Sequence, residues 1–456
     1  MRKQFDFYAY NSPTNGKFYV DETEFFYGED YRNKKRYKEY KDAGLNILLL
    51  QHENSYSGED FETSACKQCM TEAYRAGIKK IIVSDTRLKD LCVEKNLLGE
   101  NGRFADRKEL LSYLDECTKP YRNQKGFYGV QLYDEPEGDE LHSYGLVIKG
   151  LKELFPSMYL QCNLLTAAAG ERLAGKGVSS LEGFEVYLNK FLDESGMDSL
   201  LYDEYPFRRD YIIGGYSLPS YQIAARVCKE RGVEFRHVLQ SWAWLWTSPS
   251  GRISLTPRHV FKEDMYWQLN LLMGFGCREF SFFTYMPKQH IDLNPKLVIR
   301  LDGACLLNLD GTKTRLYYHI QKIISEMKRF APVILQYEYD NNWLFFEEGK
   351  SKDDFMQTQY AEMNDGCPIV VKPSSDVALV TKLKKTGSSL FMIQNISNLK
   401  DELQRKAPLS YEIDLGATYK KIKIYKNGKR LHRKVLNGKW TETLHCGEAI
   451  FVEAFK

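Results

Sequence analysis

The sequence predicts an α/β fold: a (β/α)8 TIM barrel followed by a smaller all-β, sandwich-like domain. Three observations predict it. Up to about residue 311, short apolar runs alternate eight times with longer amphipathic stretches. Glycine or proline closes most of the amphipathic stretches, as helix ends demand. Beyond about residue 332 the helical period stops and short strand-like runs follow, with Asn427-Gly428 and Asn437-Gly438 as hairpin turns.

The apolar runs place strands at 5–10, 46–51, 80–85, 128–135, 158–163, 199–204, 235–242 and 279–285. Helices are expected over 31–43, 61–76, 107–121, 140–155, 181–195 and 221–231. Gly44, Gly77, Gly196 and Gly232 each stand just past a helix and before a strand. Thr256-Pro257 supplies an N-cap and a first-turn proline for a helix reaching about 273, and an eighth helix runs from about 313 to 330. An open doubly wound sheet would place a glycine-rich phosphate turn after the first strand, but that strand ends in Tyr10-Asn11-Ser12-Pro13. The barrel is assigned to 1–331 and the β domain, packed on its side, to 332–456. Within the latter, strands fall at 343–347, 377–383, 389–394, 411–415, 421–425 and 449–454, and 350–366 reads as a polar, mobile loop.

A chain of 456 residues is long enough for a large core. With 64 basic against 61 acidic residues the charge is nearly balanced, which speaks against a nucleic-acid or membrane partner. Clusters such as Lys34-Lys35-Arg36 and Lys420-Lys421 read as solvated faces. The 10 cysteines form no framework, and Cys66 and Cys69 make an isolated CxxC within a helical stretch, so free thiols, no metal and no cofactor are expected. The N-terminus lacks an apolar signal core and no run approaches a membrane span. A cytoplasmic location is expected, or a secreted one if a signal peptide once preceded this chain. Homo-oligomer formation is left open.

One short sequence occurs twice. Leu132-Tyr133-Asp134-Glu135-Pro136 is echoed by Leu201-Tyr202-Asp203-Glu204-Tyr205-Pro206, each copy ending an apolar run. Barrel active sites form at the C-terminal strand ends, and alternate strands share layers, so the ends of strands four and six are expected to face each other. Asp134, Glu135, Asp203 and Glu204 are therefore the candidate catalytic residues. Two facing carboxyls can divide into a raised acid and an ionised partner, as cleavage of a sugar bond requires. Glu135 is expected to point with Tyr133 and against Asp134, and Glu204 with Tyr202 against Asp203. The other reading, a like-charged pair neutralised by Arg208 or Arg209, carries less weight.

The remaining strand ends supply candidate substrate-binding groups: Asn11, Gln51 and Glu53, Asp85, Tyr133, Asn163, Tyr202, Gln240, Trp242 and Trp244, and Tyr285. His52 also ends strand two. Asp85 reads equally well as the N-cap of a following helix. Trp242, Trp244 and Trp246 cluster after strand seven, and indole faces stack on sugar rings.

Asp134-Glu135-Pro136 is similar to the Asn-Glu-Pro that ends strand four in the clan of (β/α)8 glycoside hydrolases containing the family 42 β-galactosidases and cellulase-like enzymes. There the Glu is the acid/base. The stretch from Leu255 to Arg258, and that from Gly274 to Tyr285, resemble the clan's seventh helix and eighth strand, and Asp310-Gly311-Thr312 resembles the turn before its last helix. The resemblance implies a glycosidase of carbohydrate metabolism, with Glu135 as general acid. It departs at strand seven, where the clan places its nucleophile and this chain reads Leu239-Gln240-Ser241-Trp242. A strand-six carboxylate is the expected substitute, an arrangement that resembles the α-galactosidase type. The competing readings are a non-catalytic glycan-binding protein on a degenerate barrel and, with less support, a metal-dependent hydrolase, since only His52 of the 8 histidines lies at a strand end.

Overall fold

The computed structural model describes residues 4–20, 23–26, 28–207, 216–243, 245–247, 253–255, 258–287, 290–291, 305–350, 366–397 and 407–456. Eight strand positions, all paired in parallel, alternate with helices up to Ile334. In order they are Asp6–Ala9, Ile47–Leu50, Lys80–Ser84, Phe127–Gln131, Tyr159–Gln161 with Asn163–Leu164, Ser199–Glu204, Glu234–Gln240 and Glu279–Phe283. Strands two to five form one sheet. Strand one, strands eight to six and the Asn163–Leu164 segment form another. Only Cys162 separates the two halves of strand five. At the other flank the Asn46 N–H donates to Phe7 O at 2.9 Å, and the Phe7 N–H to Asn46 Oδ1 at 2.7 Å.

The two-residue period sorts the side chains. Tyr8, Tyr10, Ile47, Leu49, Ile82, Leu201 and Val238 form one buried cluster. Their chain neighbours Phe7, Leu48, Leu50, Ile81, Leu200, Tyr202 and Leu239 pack instead with the helices. Helices start on side-chain caps: Asn33 accepts from the Arg36 N–H, Ser64 from Lys67, Asp106 from Glu109 and Ser179 from Glu182. The helices Ser180–Ser195 and Ser217–Arg231 stop at Gly196 and Gly232, whose φ values of 61° and 66° are left-handed.

Several elements differ from the sequence reading. A helix over Thr86–Cys92 follows strand three directly, with Asp85 as its N-cap. Strand four ends at Gln131, four residues earlier than expected, after a register shift that inserts Tyr128 into its pairing with strand three. The seventh large helix is described from Lys262 to Gly274, with Phe261 at its N-cap; the expected cap and proline, Thr256 and Pro257, lie outside the described residues. The last helix, Arg315–Ile334, starts at the Thr314 cap and carries Pro332 in its final turn. Short strands in the loops after strands one, seven and eight were unexpected: Lys17–Val20 with Thr23–Phe26 and His290–Ile291, and Leu245–Thr247 with Ile253–Leu255.

From Glu338 onward the chain is β-structure. A six-stranded sheet faces a three-stranded one made of Val370–Pro373, Leu409–Asp414 and Lys439–Leu444. Ala378, Val380, Phe391 and Ile393 point into the core between them. Their neighbours Leu379, Leu383, Leu390 and Met392 point the other way, into the core shared with the helices of the first part. Asn427 and Gly428, at φ 51° and 72°, close a two-residue hairpin between Lys426 and Lys429, the geometry that type I′ turns require. Of the expected loop at 350–366, residues 351–365 lie outside the described ones.

Candidate active site

Strand six is regular through Glu204, so alternation holds to its end. Leu201 and Asp203 point to the side of the buried cluster of Tyr8, Ile47 and Val238, and Tyr202 and Glu204 to the helices. Strand four stops at Gln131, and the chain then bends through Asp134 and Glu135, with Glu135 at φ 55°. Alternation no longer applies there, so Asp134 and Glu135 both reach the site while Tyr133 packs against the outer core. The Glu135 N–H donates to Asn163 O at 2.9 Å, which fixes the bend against strand five.

The carboxyls of Glu135 and Asp203 lie close enough to act on each other: Asp203 favours the charged form of Glu135, and the Glu135 charge raises Asp203. Burial raises Glu135, and the neighbouring Asp134 raises it further. Burial pushes Asp203 well above the usual carboxylate range, with Glu135 and Asp134 adding to the rise. The nearby Tyr205 hydroxyl favours the charged form of Asp203. Asp134 is exposed at the bend, but protein surrounds its other sides. That enclosure raises its carboxyl, opposed by Lys89 and by the Asn163 amide. Arg172 adds a positive charge near Glu135.

Beneath the carboxyls lies a layer of amides. Gln51 Nε2 donates to Gln131 Oε1 at 3.1 Å, Lys89 Nζ donates to the same oxygen at 3.3 Å, and Gln161 Nε2 donates to the Tyr10 hydroxyl at 2.6 Å. Beside them stands an aromatic wall. Phe283 lies 5.0 Å from Trp242 and 5.6 Å from both Tyr205 and Tyr10, centroid to centroid. Trp242 is buried, whereas Tyr205 and Phe283 are half-buried.

The other sequence candidates divide. Asn163 and Gln51 belong to this constellation, and Asn11 borders it through Gln51 Oε1 at 3.4 Å and His52 Nε2 at 3.0 Å. Glu204 does not face Glu135: it is buried on the helix side, bonded by the hydroxyls of Thr166 and, at 2.8 Å, Ser217. Tyr202 is core, ringed by Phe184, Phe235 and His237. The Tyr133 carbonyl accepts from the Tyr144 hydroxyl. Asp85 caps its helix and is ion-paired to Arg87 at 2.8 Å. Gln240 braces the chain after strand six, accepting from the Phe207 N–H at 2.9 Å and donating to Arg258 O at 3.1 Å. Tyr285 follows the end of strand eight and packs on Tyr40 at 4.8 Å. Glu53 turns toward Asn15 and Arg32, and burial pushes it up to about 6. Trp244, Arg208 and Arg209 lie outside the described residues.

Sequence reasoning passed over Tyr10, Lys89, Gln131, Gln161, Tyr205 and Phe283. Tyr205 stood inside the second echo, one residue beyond its carboxylates. Lys89 sits on the unexpected helix and left no signal at a strand end. Among the described residues no group of His, Cys, Asp and Glu side chains is arranged to hold a metal ion, and no helix is long and apolar enough to cross a membrane.

No family model matches the sequence, and no curated protein matches it. Solved structures do resemble its fold. A β-galactosidase from Bacillus circulans sp. alkalophilus superposes with a TM-score of 0.56 at 8% identity, covering 99% of this chain and 99% of that one. The α-amylase of Geobacillus thermoleovorans, solved with acarbose, gives 0.53 at 11% identity over 100% of this chain and 98% of its own. An Anoxybacillus α-amylase gives 0.53 at 12% over the same shares. At such identities the likeness is one of fold, and the chain has a glycoside-hydrolase-like fold.

Proposed function

We propose that the two parallel sheets close on each other as a (β/α)8 barrel and that the protein is a glycoside hydrolase working with carboxylates from strands four and six. The carrying observation is the mutual action of the Glu135 and Asp203 carboxyls beside the exposed Asp134. It links two strand ends far apart in sequence and raises both carboxyls, as the group that protonates a departing sugar oxygen must be raised. Glu135 is the proposed general acid and Asp203 its partner. Half-buried Tyr205 and Phe283 offer the apolar faces on which a sugar ring stacks.

Release of a chromogenic aglycone from a panel of aryl glycosides, together with turnover of natural oligosaccharides, tests the reading. Glu135→Gln should lose roughly 10²–10⁴-fold on substrates with poor leaving groups and much less on activated ones. Asp203→Asn should abolish turnover while sugar still binds. A small, uniform loss in Glu135→Gln would remove Glu135 from the acid's role.

One observation favours a second reading, a glycan-binding protein without hydrolysis. Carboxyls about 5–5.5 Å apart suit retention and about 6.5–9.5 Å inversion, whereas these two act on each other as near neighbours. Catalysis requires room for the sugar bond between them. Binding of oligosaccharides with no release of aglycone from any substrate would establish this second reading.

A further inference from the structure

Strand seven loses a neighbour at its end. Its pairing with strand six stops at Leu239–Glu204, whereas its pairing with strand eight continues to Gln240–Phe283. Beyond Glu204 the chain leaves the sheet through Tyr205 and Pro206, and Pro206 has no N–H with which to extend the ladder. The backbone of Gln240 is satisfied from a helix instead. Gln268, on the helix Lys262–Gly274, accepts from the Gln240 N–H through Oε1 at 2.9 Å and donates from Nε2 to the Gln240 carbonyl at 3.0 Å. One side-chain amide thus bonds both the N–H and the C=O of one residue, the two groups that an adjoining strand would take.

The side chain of Gln240 repeats the arrangement one step further on. Its Oε1 accepts from the Phe207 N–H at 2.9 Å, and its Nε2 faces the carbonyls of Arg258, Phe207 and Trp242 at 3.1, 3.3 and 3.4 Å. Three carbonyls about the nitrogen and an N–H at the oxygen leave one orientation for this amide. Gln268, Gln240 and Phe207 are all buried. The Phe207 ring packs on Trp267 at 5.7 Å, centroid to centroid, and the Arg258 guanidinium lies 5.1 Å from the same ring. Phe207 is therefore held by backbone and by ring. Two residues back, Tyr205 lies 5.5 Å from Trp242 and 5.6 Å from Phe283. Pro206, with its fixed φ, is the only link between the two, so the place of Phe207 restricts the place of the Tyr205 ring.

We propose that Gln268 and Gln240 are positioning residues, two side-chain amides in series that hold Phe207 and through it set the Tyr205 ring in the wall with Trp242 and Phe283. Gln268 bonds neither Phe207 nor Tyr205; it acts through the end of strand seven. The hold on Phe207 follows from these bonds alone. The consequence for a substrate rests on the glycosidase reading, in which Tyr205 offers a face to a sugar ring. Such a face binds the ground state and the transition state alike, so loosening it raises KM and leaves kcat near wild type.

Hydrogen exchange of the full chain, followed at single amides by NMR, is the test. In Gln268→Met the protection of the Phe207 N–H should fall by roughly 5–10-fold. The Phe7 N–H, bonded to Asn46 Oδ1 on another flank, should keep its protection. Unchanged protection at Phe207 overturns the proposal, as does an equal fall at Phe7, which would mean a general loss of stability. Gln268→Glu is the second variant. A carboxyl reproduces both bonds to Gln240 only when protonated, so protection at Phe207 should return as pH falls; a deficit that ignores pH overturns the proposal. On oligosaccharides Gln268→Met should raise KM roughly 3–10-fold, the worth of one aromatic face, with kcat within about twofold of wild type. A fall in kcat at constant KM overturns the assignment to Tyr205. If the wild type hydrolyses no glycoside but the protection factors behave as described, the glycosidase reading falls and the hold of Gln268 and Gln240 on Phe207 stands.

Discussion

Glu204 shows how one side chain's direction decides its chemistry. The echo Leu-Tyr-Asp-Glu makes Asp203 and Glu204 look equivalent to Asp134 and Glu135, and the sequence offers both as partners for Glu135. Strand six runs to Glu204 without a break, so its two carboxylates point to opposite faces, and Asp203 goes with Leu201 to the side of the buried Tyr8–Val238 cluster. Glu204 is spent on the hydroxyls of Thr166 and Ser217, which tie strand six to the loop after strand five and to the first turn of the helix Ser217–Arg231. Glu204→Gln should therefore leave turnover close to wild type, because the amide oxygen can still accept from Ser217. Glu204→Ala takes the acceptor from the buried Ser217 hydroxyl and the half-buried Thr166 hydroxyl and should cost about 1–3 kcal/mol in urea unfolding. Loss of turnover in a folded Glu204→Gln protein would mean that Glu204 acts in the chemistry after all. The repeated motif marks the two strand ends that carry paired carboxylates. It does not tell which members share a site, because alternation carries no information past the end of a strand. Glu135 lies in a left-handed bend four residues beyond Gln131, and Tyr285 follows strand eight in the same way.

Elements were legible where their own chemistry marks them. Side-chain caps and terminal glycines bracket the helices, and paired Asn-Gly turns mark the hairpins. The helix Thr86–Cys92 escaped because its cap, Asp85, also looks like the last residue of a strand, and both roles use the same residue type. The loop strands escaped because four residues are too few for a period to show. One glycine reports a packing that no pattern revealed. Gly447, at φ 78°, lies against the helix Lys262–Gly274 so closely that a Cβ would stand 2.2 Å from Glu263 O. Its carbonyl accepts from Asn270 Nδ2 at 3.0 Å and from Gln394 Nε2 at 3.2 Å. Gly447→Ala should thus lift the turn off the helix and destabilise the protein by more than the roughly 1–3 kcal/mol that a strained backbone residue alone costs. Thermal melting measures this, and a variant within about 0.5 kcal/mol of wild type would show that the turn is free to move.

At the scale of the whole molecule, the six-stranded sheet decides whether the chain is two bodies or one. Its strands Val377–Lys385 and Ser388–Asn395 carry apolar side chains on both faces, a pattern that reads as a fully buried strand. One face closes the sandwich through Val380, Phe391 and Ile393. The other lies on the helices, where Phe451 meets Phe330 at 4.7 Å and Gln394 Nε2 donates to Trp267 O at 2.9 Å. Each large side chain on that second face contributes about 1.5–3 kcal/mol by leaving water. Neither part can keep its side of this contact covered alone. The full chain should consequently unfold in one calorimetric transition, with calorimetric and van't Hoff enthalpies in agreement. A chain ending at Leu335 leaves Met327 and Phe330 without their cover. It should aggregate or bind a hydrophobic dye. If instead it stays monomeric and keeps the wild-type titration of the Glu135–Asp203 pair, the second part is an accessory and the first folds alone. Two separated transitions in the full chain would point the same way, and the sheet's second face would then be a docking surface formed after folding, not part of a common core.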